Sequence, residues 1–213
     1  MPHDPERNAP ARANPVRIQE RVFIAVWLPT RAATSMRDQV RPLLNTEAGA
    51  LQVTPDRYHV TLRFIGDVDV DRIARLRVEL GRRMSGHRPF ELSISGAGHF
   101  EAAKVAWAGL APSPRLRQLE RSVSAVVEEM IPAVGSRRGE FRPHLTLAHH
   151  VPVGPHLIGL LADRCRTEPF PVTSVELVSH PPGDTYRRSG RIRLGSAAAR
   201  RHVATRLPGH RHS

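Results

Sequence analysis

The sequence predicts an α+β protein: a bilobal duplicated fold of two antiparallel-sheet lobes, helices outside and a central cleft between them. Three observations predict it. Strand and helix patterns alternate from residue 21 to about residue 195. A His-x-Thr-Leu order occurs twice, at residues 59–62 and 144–147, so the second histidine lies 85 positions after the first. The elements around the two copies run in similar order, strand-helix-strand-helix-strand-strand and then helix-strand-helix-strand-strand. That is an internal repeat too long for a solenoid unit and suited to a duplicated domain.

The elements follow in turn. RVFIAVWLP (21–29) is an apolar, β-branched and aromatic run ending at proline, a buried strand. Thr30 is placed to cap a helix over about 31–44, with Met36, Val40 and Leu43 or Leu44 on its inner face. YHVTLRFIG (58–66) is a strand closed by glycine, and residues 69–84 form an amphipathic helix with Val70, Ile73, Leu76 and Leu80 inside. FELSISG (90–96) and KVAWAGL (104–110) are two strands joined by a glycine-rich turn that includes GAGH (96–99). Trp27 and Trp107 fall on strand patterns and are read as core. Ser113-Pro114 opens a helix by cap and first-turn proline, carrying Leu116, Leu119, Val123, Val126 and Met130. GSRRGEFRP (135–143) is a basic loop leading into the second His-x-Thr strand. A short helix near 155–164 and strands at 170–180 and 185–194, around the turn PPGD, complete the pattern.

Composition bounds the function. The chain of 213 residues carries a net charge of +12, with Lys104 its only lysine. An arginine-rich balance favours anionic partners such as nucleic acid, and is also what an arginine-, alanine- and proline-rich composition gives without selection for binding. The single cysteine, Cys165, excludes an internal disulfide and a CxxC zinc site. There is no GxxxxGK[ST] loop and no HExxH, so neither a phosphate-loop ATPase nor a zincin is indicated. No apolar run reaches the roughly 18 residues of a membrane span, and the polar, proline-rich start has no secretory apolar segment. A cytoplasmic monomer is expected, with residues 1–20 a disordered arm, 21–195 one bilobal domain and 196–213 a basic disordered tail. The tail histidines His202, His210 and His212, and the pair His149-His150, lack ligand spacing, so no metal and no cofactor are expected.

Along a strand, residues two apart share a face. His59 and Thr61 therefore share one face with Arg63, opposite Val60, Leu62 and Phe64 in the core. His144 and Thr146 share a face opposite Leu145 and Leu147. If the repeat places the two strands as neighbours, two imidazoles and two hydroxyls line one cleft. A pair of histidines can act as general base and general acid in one step near neutral pH, and threonine hydroxyls can donate to an anionic oxygen. That set suits attack at a phosphodiester without a metal. Arg137, Arg138 and Arg142 precede the second motif as candidates for substrate phosphates.

On these motifs the chain resembles the two-histidine (2H) phosphoesterase superfamily. More narrowly, it resembles the bacterial and archaeal RNA 2′,3′-cyclic phosphodiesterases, historically called 2′-5′ RNA ligases. The resemblance covers roughly residues 21–194, including RVFIAVWLP, HVTLRFIGDV, KVAWAGLAPSPRLRQLERSV, FRPHLTLAHH and VELVSHPPGDTYRRSGRIRL. It implies His59 as proton donor, His144 as proton acceptor activating water, and Thr61 and Thr146 as phosphate contacts. The implied reaction opens an RNA terminal 2′,3′-cyclic phosphate to a 2′-phosphomonoester. Arg63, Arg142, His149 and Tyr186 are the further substrate-binding candidates. His149 departs from the family, where a basic Arg or Lys is common, so Arg142 is an alternative holder of the phosphate. A 2H enzyme acting on small cyclic nucleotides or a cyclic ADP-ribose phosphate, and a non-catalytic RNA-binding module, are the alternative readings.

Overall fold

A computed structural model of the chain describes residues 18–135, 139–152, 154–181 and 186–195. The expected basic tail, its histidines, Arg137 and Arg138 lie outside the described residues. Ten strands and four helices are present among the described residues: β1 (Gln19–Trp27), α1 (Thr30–Leu44), β2 (Leu51–Gln52), β3 (His59–Asp69), α2 (Val70–Met84), β4 (Phe90–Leu92), β5 (Ile94–Phe100), β6 (Val105–Leu110), α3 (Pro114–Met130), β7 (His144–His149), α4 (Pro155–Arg164), β8 (Phe170–Val172), β9 (Ser174–His180) and β10 (Arg187–Arg193).

The strands form an antiparallel sheet in the order β10-β9-β1-β3-β7-β6-β5, with β2 also on β7, and a separate β4-β8 ribbon. The two lobes meet where β3 pairs with β7 at Val60↔Leu145. One lobe is β10-β9-β1-β3, backed by α2 and α3; the other is β7-β6-β5, backed by α4, against which α1 packs. The lobes are therefore not the two halves of the chain in sequence. The last two strands return to the first lobe, and each helix layer borrows from both halves. A continuous core runs through both lobes, with Ile24, Leu62, Leu76, Leu119, Leu145 and Leu147 fully buried. Burial also pushes the Cys165 thiol up to about 12, so this sulfur is an inert core group rather than a nucleophile.

Several local expectations change. Gln19 and Glu20, expected in the arm, already belong to β1. Thr30 is the first helical residue of α1 rather than its cap; Pro29 holds that position without a side-chain hydrogen bond. Ser113 does cap α3, its hydroxyl accepting from the Leu116 amide at 3.2 Å. Val70, expected inside α2, is exposed; it is the first helical residue, directly after β3. The glycines of GAGH lie within β5 rather than in a turn: Gly96, at φ +81°, marks a register shift, and the hairpin turns at residues 101–104, where Lys104 takes φ 50°.

Candidate active site

β3 and β7 run antiparallel side by side, so the register that joins Val60 to Leu145 sets His59 across from Thr146 and Thr61 across from His144. The two motifs thus share one face of the sheet at the junction of the lobes. Both imidazoles are held in the same way. The Nδ1 of His59 lies 2.7 Å from the Arg57 carbonyl oxygen, and that of His144 lies 2.8 Å from the Arg142 carbonyl oxygen. A carbonyl oxygen only accepts, so each Nδ1 carries a proton and proton transfer falls to Nε2. Arg57 and Arg142 stand in the same repeat relation as the histidines, so the duplication extends to the orienting bond.

It extends also to a bulge. β3 pairs Ala25↔Thr61 and then Ile24↔Arg63, skipping Leu62. β7 pairs Trp107↔Thr146 and then Ala106↔Ala148, skipping Leu147. A bulge places two residues of one strand against one of its partner and shifts the alternation beyond it. After the first bulge Arg63 turns into the core, 3% exposed, and Phe64 turns out, 56% exposed. This corrects the strict alternation that put Arg63 on the cleft face and Phe64 in the core. Arg63 donates to the Gly135 carbonyl at 2.5 Å and lies 3.5 Å from Glu128 of α3, which does not suit it to contact substrate. After the second bulge Ala148 is buried and His149 is exposed, on the Thr146 side of the strand.

Aromatic rings wall the histidines. In the first lobe Phe23 and Trp27 stack on His59 at 5.1 and 4.7 Å between centroids. Tyr186 packs edge-on against Phe23 at 5.5 Å and lies under the Arg57 guanidinium at 4.4 Å. In the second lobe Phe100 meets His144 edge-on at 4.9 Å and Trp107 lies 6.2 Å from it. Trp27 packs on the small cluster of Phe23, Ala25 and Val178 as expected of a core residue, but it and Trp107 lie outside the main core and wall the histidines. Trp27 also donates its indole N–H to the Asp56 carbonyl at 2.9 Å and carries the Arg188 guanidinium over its ring at 4.6 Å. Arg188 is held in turn by both oxygens of the buried Glu176 carboxylate. Phe23, Trp27, Phe100, Trp107, Arg57 and Arg188 were not identified from the sequence. The structure brings together His59, Thr61, His144, Thr146 and Tyr186; Arg142 contributes its carbonyl, and its side chain is exposed beside the motif.

The environment sets the proton affinity of His59. Burial lowers its pKa below 6.5, and the charges of Arg57 and His144 push the same way against the bond to the Arg57 carbonyl. Among the described residues no group of three or more His, Cys, Asp or Glu side chains is arranged to hold a metal.

Gly98 shows how tightly the second wall is built. A β-carbon there would collide with the Trp107 ring, which lies flat on the glycine. Gly98→Ala is expected to displace the indole beside His144, with a loss of about 1–3 kcal/mol in thermal or denaturant unfolding and a lower turnover rate.

Residues 28–184 match the model of the 2′-5′ RNA ligase superfamily. The chain belongs to that superfamily. Among its relatives, a protein of Archaeoglobus fulgidus named RNA 2′,3′-cyclic phosphodiesterase is 31% identical over 134 residues, covering 60% of this chain and 70% of the relative. A protein of the same name from Escherichia coli is 30% identical over 136 residues, covering 60% and 70%. The crystal structure of E. coli LigT in apo form superposes with a TM-score of 0.67 at 25% identity, covering 84% of this chain and 99% of that one. A Thermus thermophilus structure superposes equally, at 23% identity, and bears on the fold alone. The superfamily's two-lobed α+β architecture is thus the architecture of this chain.

Proposed function

We propose that the chain is an RNA 2′,3′-cyclic phosphodiesterase that opens a terminal 2′,3′-cyclic phosphate to a 2′-phosphomonoester. The observation that carries the reading is the matched pair of imidazoles, each with Nδ1 on a main-chain carbonyl, on neighbouring strands of one face. In the proposed step, Nε2 of His144 takes a proton from water as its oxygen attacks phosphorus. The bond from phosphorus to the ribose 3′ oxygen breaks, and Nε2–H of His59 delivers a proton to that oxygen. One water is consumed, and a 2′-phosphate and a 3′-hydroxyl result. Thr61 and Thr146 donate to the non-bridging oxygens, where charge is concentrated. Tyr186 and the exposed Arg142 and His149 stand around this centre as further substrate contacts. The names borne by the relatives support the substrate class. The same reading describes a cytoplasmic monomer; no helix among the described residues is long and apolar enough to cross a membrane.

Turnover on a panel tests the reading: RNA ended by a 2′,3′-cyclic phosphate, mononucleoside 2′,3′-cyclic phosphates, a 2′-5′-linked dinucleotide and a cyclic ADP-ribose phosphate. Hydrolysis of the cyclic-phosphate ends is expected. Turnover confined to cyclic ADP-ribose phosphate, or RNA binding without turnover, overturns it.

Because both proton-transfer roles are filled by imidazoles, activity is expected to survive EDTA and exhaustive dialysis; loss on chelation restored by one divalent ion contradicts the mechanism. The pH profile carries a sign. The donor role requires protonated His59, and burial lowers its pKa in the free enzyme. The limbs of the kcat/KM profile belong to the coupled pair, and the lowered His59 pKa moves the alkaline limb to lower pH than an unperturbed pair gives. A bound anionic phosphate favours the imidazolium, so the alkaline limb of kcat lies at higher pH. An alkaline limb of kcat below that of kcat/KM contradicts the donor role.

A further inference from the structure

A cavity of about 640 Å³ opens beside the histidine pair without containing it. Trp27, Pro55, Thr173, Glu176, Arg188 and Arg191 are among the residues that line it. It starts one ring away from the chemistry, since Trp27 stacks on His59 at 4.7 Å and itself forms a wall. Its size is that of a small-molecule site, on the order of 300–1,000 Å³.

The charges of this cavity are arranged rather than incidental. Glu176 is 4% exposed, yet ionised partners reach it from the cavity side. Arg188 binds both its oxygens at 2.5 Å, and the Arg191 Nε lies 3.8 Å away. One carboxylate shared by two guanidiniums leaves an excess positive charge on that wall. Asp56 on the same cavity offsets it, so the chamber is close to neutral overall. Such a chamber, apolar along Pro55 and Trp27 and polar along the ion pairs, does not select a second free phosphate. It suits a neutral, flat, hydrogen-bonding group with an anionic link at its mouth. Arg191, with its side chain 62% exposed, is the group placed to meet that link.

We propose that this cavity is the subsite for the nucleoside immediately upstream of the cyclic phosphate, with Arg191 on the phosphodiester that joins the two residues. The proposal rests on the reading of the cleft as a cyclic phosphodiesterase, and it makes a chain of at least two nucleotides the preferred substrate. Trp27 separates the two positions, one face toward His59 and the terminal residue, its edge toward the upstream nucleoside. Arg188, stacked on Trp27 and anchored by Glu176, fixes that partition.

The experiment compares kcat/KM for a mononucleoside 2′,3′-cyclic phosphate with that for a dinucleotide bearing the same terminal group. The unsubstituted enzyme is expected to favour the dinucleotide by about tenfold or more, equivalent to at least ~1.4 kcal/mol of added transition-state binding. Thr173 is exposed on the cavity wall and is not a partner in the ion pairs of Glu176 with Arg188 and Arg191. Thr173→Trp, which fills the chamber, is expected to abolish the preference while mononucleotide turnover stays within about twofold, which also shows that the variant folds. Arg191→Ala is expected to raise KM for the dinucleotide severalfold and to weaken its dependence on salt. Equal use of the two substrates by the unsubstituted enzyme, or a preference that survives Thr173→Trp, overturns the subsite and leaves the cyclic phosphodiesterase reading intact. No turnover of either cyclic phosphate overturns that reading itself, and the subsite with it.

Discussion

His59→Ala and His144→Ala are each expected to lower kcat by about two decades or more, the usual contribution of a positioned acid or base. The double variant is expected to lose far less than the product of the two effects, because the pair acts as a unit. The single variants separate the roles. A 2′,3′-cyclic substrate with sulfur in place of the 3′ oxygen leaves as a thiolate and needs no proton. His59→Ala is then expected to recover most of its rate on the sulfur substrate, while His144→Ala stays slow, since water still needs its base. Rescue of His144→Ala instead reverses the assignment of acid and base. The matched bonds from Nδ1 to the carbonyls of Arg57 and Arg142 orient both imidazoles alike, so the leaving group is what distinguishes their roles.

Arg63→Ala is expected to unfold the protein more easily without changing substrate affinity. The guanidinium is nearly fully buried and joins the end of the first motif to the carbonyl of Gly135, at the start of the loop that leads to the second. Glu128 is about a third exposed and can rehydrate when its partner is lost, so that pair adds little. The lost hydrogen bond and the emptied stem together cost about 2–3 kcal/mol. In a chain of this size that lowers Tm by roughly 5–10 °C. KM per folded molecule is expected to stay within about twofold. An unchanged Tm with a raised KM restores the substrate contact that strict strand alternation implies.

That contrast shows where the sequence is legible. The His-x-Thr-Leu repeat places four site residues, since period two fixes a common face over three consecutive residues. It fails one step later, because both strands bulge at the leucine after the threonine. No glycine or proline marks either bulge; they are set by the pairing of β3 with β1 and of β7 with β6, which a single strand does not encode. Trp27 and Phe23 escaped for a different reason. β1 is apolar on both faces, Val22, Ile24 and Val26 toward the core and Phe23, Ala25 and Trp27 toward the histidines, so alternation leaves no polar mark to tell the faces apart. The repeat length was readable, but the assignment of strands to lobes was not. β9 and β10 are the last strands among the described residues; β9 pairs back onto β1 and carries β10 beside it, a long-range choice made by the whole core.

Phosphorus NMR of the product formed from RNA ended by a 2′,3′-cyclic phosphate tests the account most directly. The two-histidine mechanism predicts complete conversion to one 2′-phosphomonoester, with the 3′ oxygen as leaving group, and no such conversion by the His59→Ala/His144→Ala double variant on the same timescale. A 3′-phosphomonoester product, or an unchanged cyclic phosphate in the presence of folded enzyme, contradicts it.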